Sequence, residues 1–137
     1  MSAEAAFAAA VITRLKADAV VDGRLRGRVY DRAPGGALFP YASLGKAETD
    51  AFDAGDLDLL DHRLTLHVWG RRDDRDDIRD AIGAARAALH QANLALAAPY
   101  RCVLCRVVYS DMFTGPDGRT LHGVLRVRGL IEKGAQP

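Results

Sequence analysis

The sequence predicts an α+β domain: a four- to five-stranded antiparallel or mixed sheet with two helices packed on one face. Three observations predict it. Between His62 and Gly70, Leu64, Leu66 and Val68 alternate with Arg63, Thr65 and His67, the period of a half-buried strand. The period then changes. Ile78, Ala81, Ile82, Ala85, Leu89 and Ala92 form one apolar stripe at helical spacing, so a helix should lie across the sheet. Finally, two runs rich in Val and Leu, residues 102–112 and 120–131, flank Thr114-Gly115-Pro116-Asp117-Gly118, whose proline and glycines suit a turn.

The totals fit one domain. The chain has 137 residues, 49% of them hydrophobic, enough for a real core. Its net charge of +1 argues against a protein whose main task is gripping nucleic acid or an anionic membrane. No apolar run approaches the ~20 residues of a membrane helix. The N-terminus lacks a basic stretch followed by a long apolar one, so no signal peptide is expected. Two cysteines make no disulfide framework, and a cytoplasmic origin is the default.

In chain order, Ser2 can cap a first helix with Phe7, Ala10, Val11 and Leu15 on its apolar side, ending near Ala17. Residues 18–31 read as irregular, with a brief strand at Val29-Tyr30, and a short strand spans residues 41–45. Residues 47–61 carry Glu48, Asp50, Asp53, Asp56, Asp58 and Asp61 without a Lys or Arg. They read as a long loop or an extended hairpin tip. The strand ending at Trp69-Gly70 leads into a helix over 73–92, its first turn filled by Asp73, Asp74, Asp76 and Asp77, where carboxylates meet unpaired N–H groups. A connection over 93–99 and the final hairpin follow. Residues 1–132 form the domain and 133–137 a flexible tail, with fraying expected from Glu132 onward. The predicted core joins Leu64, Leu66, Val68, Ile78, Ile82, Ala85, Leu89, Leu125 and Val127.

Composition and spacing offer no active site. Cys102 and Cys105 form a CxxC, whose sharp readings are a redox pair or half a zinc site. A redox CxxC works at a helix N-terminus, this one opens a strand, and residues three apart on a strand face opposite ways. Two structural thiols are the better reading. His62, His67, His90 and His122 show no metal-binding helical spacing, and His67 and His122 fall on polar strand faces suited to surface or interface roles. Asp53, Asp56 and Asp58 lack the order of a calcium loop. Helix capping explains the run from Asp73. No glycine-rich phosphate loop and no Ser-His-Asp set stands out. No catalytic residue, metal or cofactor is therefore assigned.

Three segments carry a resemblance. They are Val29-Tyr30-Asp31-Arg32-Ala33-Pro34 running on to Pro40-Tyr41, then His62-Arg63-Leu64-Thr65-Leu66-His67-Val68-Trp69, then His122-Gly123-Val124-Leu125-Arg126-Val127-Arg128. With the helix between the last two, the chain resembles the tail terminator (tail completion) proteins of long, non-contractile-tailed phages. It is also similar to the tail terminators of phage-derived gene transfer agents. The likeness runs from the first helix to about Glu132 and rests on order, not on any single motif; residues 47–61 are its least familiar part. It implies a non-enzymatic virion protein, assembled in the host bacterial cytoplasm, forming a usually hexameric ring at the head-proximal end of the tail tube. The ring's partners are itself, the tail tube protein and the head connector or stopper, and DNA passes through its lumen without specific binding. The alternatives are another head–tail joining protein, a stopper or adaptor, and, from a different class, a small cytoplasmic enzyme or ligand-binding domain. Rings in negative-stain images separate the last from the others.

A closed ring needs one patch on each subunit to meet a different patch on the next. The sequence offers two of opposite sign. The polar sheet face carries Arg63, His67 and Trp69 on one strand and His122, Arg126 and Arg128 on another, and Trp and Arg are favoured at interfaces. An ordinary solvated sheet face is the plainer reading, but Trp69, Val124 and Leu130 on it are ill suited to water. This face is expected at a subunit or tail-tube contact, against the end of a neighbour's acidic run near Asp58. Glu48, Asp50, Asp53 and Asp56 are expected to line the lumen and keep phosphates off its wall; a solvated loop is the equal alternative.

Overall fold

The computed structural model describes residues 1–53 and 55–134. Helix α1 (Ala3–Ala17) and helix α2 (Ala19–Leu25) lead to strand β1 (Val29–Tyr30). Then come β2 (Tyr41–Ala51), β3 (Leu59–Arg71), a 3-10 turn, α3 (Arg75–Leu89), β4 (Tyr100–Thr114) and β5 (Thr120–Lys133). The five strands form one sheet in the order β1-β2-β3-β5-β4. β1 runs parallel to β2, and every other neighbour is antiparallel. This is the expected α+β class with a mixed sheet.

The nine residues predicted to share a core are buried in one cluster with Phe7, Val11 and Leu15 of α1. Two glycines on the inner side of β5 explain how closely the helices approach. A Cβ on Gly129 would overlap the ring of Phe7, and one on Gly123 would come within 2.7 Å of Ile82 Cδ1. α1 and α3 therefore seat directly on β5, next to the edge strand β4, while Val21 and Leu25 of α2 join the same core.

Several elements differ from their sequence reading. Residues 19–25 are helical, not irregular: the Asp18 carboxylate accepts from the N–H groups of Val20 and Val21, both at 3.0 Å, and nucleates the turn. Among the described residues there are thus three helices. α3 begins at Arg75, because Asp73 and Asp74 belong to the 3-10 turn, where Asp74 accepts from the Arg71 N–H at 2.7 Å. It ends at Leu89, as Gln91 takes a positive φ of 59°. Ala92 lies past its end yet still packs on the core. Between the two readings of residues 47–61, the extended hairpin holds: β2 continues to Ala51 and β3 starts at Leu59, so Glu48, Asp50 and Asp61 are strand residues.

Glu132 is not frayed. It lies within β5, one residue before its end, and accepts from Arg101 Nε at 3.0 Å, while the Gly134 N–H donates to the Pro99 carbonyl at 2.7 Å. The tail expected at 133–137 thus begins with bonded residues, and 135–137 lie outside those described. Finally, the strand argument that sends Cys102 and Cys105 to opposite faces fails. The register slips between Cys102 and Leu104, so Cys102 opposes Ile131 and Cys105 opposes Gly129, both inner positions. The two thiols meet on the helix side, Cys105 buried and Cys102 half-buried, as structural cysteines.

Candidate functional site: the open face of the sheet

All three helices contribute to the core on one side, so among the described residues the outer side of the sheet has no covering layer. Cross-strand pairing fixes what it displays. Residues opposite one another on neighbouring strands point the same way, and four strands thus build rows across the face. At one end the row is Tyr41, Trp69, His122 and Phe113. Near the other end it is Glu48, Arg63, Arg128 and Arg106. The sequence-predicted residues Arg63, His67, Trp69, His122, Arg126 and Arg128 all lie on this face.

The aromatic end is tightly built. The indole of Trp69 stacks on His122 with ring centroids 3.9 Å apart and planes 13° from parallel. Trp69 Nε1 donates to Ser43 Oγ at 3.2 Å. His67 Nδ1 and His122 Nε2 are 2.6 Å apart, so one imidazole donates its proton to the other. Burial pushes both histidines below their ordinary value, and a positive His67 would push His122 down further. Phe113 of β4 closes the cluster at 4.8 Å from His122. The result is a half-buried aromatic patch held by stacking and hydrogen bonds.

The charged end divides its arginines. Arg128 donates from Nε and an Nη to the two carboxylate oxygens of Asp61 at 2.9 and 3.1 Å. This hydrogen-bonded pairing, against the cost of burial, holds the Asp61 carboxyl below the usual range. Arg63 reaches the same carboxylate at 3.5 Å. Arg128, expected to seek a neighbour's acidic residue, thus has one in its own chain. Arg126 is exposed, and its guanidinium lies 4.9 Å over the Tyr109 ring. Lys46, Glu48, Arg63, Thr65 and Arg126 line a shallow hollow of about 280 Å³. Lys46 donates to Glu48 at 2.7 Å and holds that carboxyl low.

The acidic run is split by the hairpin. Glu48 and Asp50 stand on β2, on the same outer face, while Asp53 and Asp56 sit in the turn. Asp58 follows the turn, 4.0 Å from Lys133 Nζ. Its carbonyl also accepts from the Lys133 N–H at 3.2 Å. Sequence reasoning missed Asp61 as the organiser of Arg128 and Arg63, although it shares the parity of Arg63 on β3. It also missed Phe113 and Tyr109 of β4, hidden by a second slip of register between Val107 and Tyr109.

Among the described residues no three His, Cys, Asp or Glu side chains are grouped to hold a metal ion. No helix among them is long and apolar enough to cross a membrane. No curated protein sequence matches the chain. Among solved structures, a chain from the virion of a native gene transfer agent particle superposes with a TM-score of 0.86 at 25% identity, over 96% of this chain and 98% of that one. The gp17 protein of bacteriophage SPP1 superposes with a TM-score of 0.63 at 20% identity, over 98% and 94%, and shares the fold. The family model of the tail completion protein gp17 matches residues 9–132, from the first helix through the last strand, and the chain belongs to that family.

Proposed function

We propose that this tail completion protein acts as a ring, hexameric in its working form, that caps the head-proximal end of the tail tube. The ring stops tube polymerisation and presents a surface to the head connector. The observation carrying this reading is the family match along the whole α+β unit, over residues 9–132. An uncovered sheet face that ends in an aromatic patch supports it, because a virion joint works by contact. The role is structural, in the tail of the particle.

The proposed contact uses the outer face, with Trp69, His67 and His122 as the aromatic anchor and Arg63 and Arg126 as the charged part. Arg128 serves through Asp61, which it holds in place. Asp58 lies at the far end of the same sheet, where a neighbour's cation can reach it. Asp53 and Asp56, at the tip of the hairpin, are proposed to face the lumen, where carboxylates keep passing DNA from adhering. Glu48 and Asp50, on the strand, are less free to do so.

Tails assembled with and without the protein test the role. Tubes of uncontrolled length in its absence, shortened to one length on adding it, are the expected result. Arg126→Glu, checked for native folding by circular dichroism, should fail to cap. Tubes of one length without the protein would refute the stopping role, and normal capping by the folded variant would remove this part of the face from the contact.

A further inference from the structure

We propose that neighbouring copies join edge to edge, the β4 strand of one continuing the sheet of the next beside the free length of β2. The proposal rests on the ring reading and deepens it. Both edges are open. Among the described residues β4 pairs only with β5. β2 is covered by β1 only at Ala42 and Ser43, which leaves residues 44–51 with an unpaired side. Open edges invite pairing, and chains that must stay apart blunt them with charge. β4 carries charge at Arg101, Arg106 and Asp111 but also exposes apolar surface between them: Val103, Val108, Tyr109 and Phe113 are 46%, 52%, 44% and 44% exposed along it.

Direction agrees. β2, β3, β5 and β4 are each antiparallel to the next, so β2 and β4 run opposite ways in one molecule. A rotation that carries one copy to the next while keeping strand direction brings β4 antiparallel onto β2. This contact is heterologous, as a ring requires.

Charge then selects the register. Sheets that close need a stagger between neighbours. Sliding β4 one row toward the hairpin tip places Arg106 opposite Asp50, Asp111 opposite Lys46, and Leu104 beside the 45%-exposed Phe52. Sliding it the other way sets Arg106 against Lys46 and drives residues from Tyr109 onward into the part that β1 covers, where the first slide brings only Phe113 and Thr114. Among the described residues Asp50, Arg106 and Asp111 make no ion pair within the chain. Each is supplied with one in the staggered pairing.

The test uses the full chain, alone and on assembled tails. A variant with Asp50→Cys and Arg106→Cys, mildly oxidised, should give a ladder of covalent multimers on a non-reducing gel, while each single variant stays monomeric. Arg106→Asp and Asp50→Arg should each abolish rings in electron micrographs, and the two together should restore them. Rings that form in the paired-cysteine variant without cross-linking, and survive Arg106→Asp, would overturn edge pairing while leaving the ring intact. Cross-linking of Arg106→Cys only to the tail tube protein would assign β4 to the tube and overturn it as well. Absence of rings from the unmodified protein on capped tails would overturn the ring reading itself.

Discussion

His62 stands two residues before Leu64, on the same side of β3, and α1 closes over it until only 1% of it is exposed. Phe7 meets its ring edge-on at 5.3 Å. Thr49 Oγ1 donates to Glu4 at 3.1 Å, so the His62 Nδ1–H donates to Thr49 at 2.8 Å. Burial, opposed by Glu4, pushes its pKa below the ordinary histidine value of 6.5. The unfolded chain therefore takes up the proton first as pH falls. Stability from the neutral ring is complete above 6.5 and is lost below it, toward the lower folded value. His67 and His122 shift the same way and add to the loss. Urea unfolding at pH 7 and pH 5 should show the protein weaker at the lower pH, and His62→Leu should narrow that difference. Parity alone puts His62 inside, so this much was legible in the sequence. The meeting of Cys102 and Cys105 was not, because it depends on one extra residue in β4. Gly129→Ala should cost about 1–3 kcal/mol in the same assay, since the Phe7 ring has nowhere to move.

At the scale of elements, legibility followed the strength of the apolar period. β3 and α3 announced themselves through Leu, Val and Ile on one side only. β2 did not, because its inner residues Ala47, Thr49 and Ala51 are small while its outer ones, Glu48 and Asp50, are charged. The alternation is present, but the carboxylates dominate the reading and suggest a loop. α2 is only seven residues long and contains Gly23, so it carries no stripe to find. Its existence rests on the Asp18 cap, and Asp18→Ala should remove about 1 kcal/mol by leaving two N–H groups without their partner. Leu66→Asp makes the opposite kind of change. It sets an unpaired charge at a 1%-exposed position in the central strands and should prevent folding. A soluble, folded variant would contradict the register of β3.

The whole molecule is two-sided: helices on one face, and rows of aromatic and charged residues on the other. Period and parity, being local, placed Arg63, His67, Trp69, His122, Arg126 and Arg128 on the outer face but missed Asp61, Tyr109 and Phe113. Sequence alone could not show that Arg128 is held by Asp61, since that pairing depends on how β3 and β5 align across 67 positions of chain. Nor could it show which strands form the edges. Hydrogen exchange should separate these at the scale of the assembly. The edge-facing backbone amides of β4 and of residues 44–51 should exchange quickly in the isolated chain and slow if copies join as proposed, while those of β3 and β5 stay protected throughout. Equal exchange of β4 in both states would place the junction elsewhere. The two inner glycines of β5 bear on this rigidity. Gly129 receives Phe7 of α1 and Gly123 receives Ile82 of α3, two notches on one strand about 20 Å apart at ~3.4 Å per residue. With both helices keyed into the same rod, neither can slide along the sheet without lifting off it. A push on the helical side is then handed to the outer face as a movement of one solid plate, which suits a structural part of a virion tail.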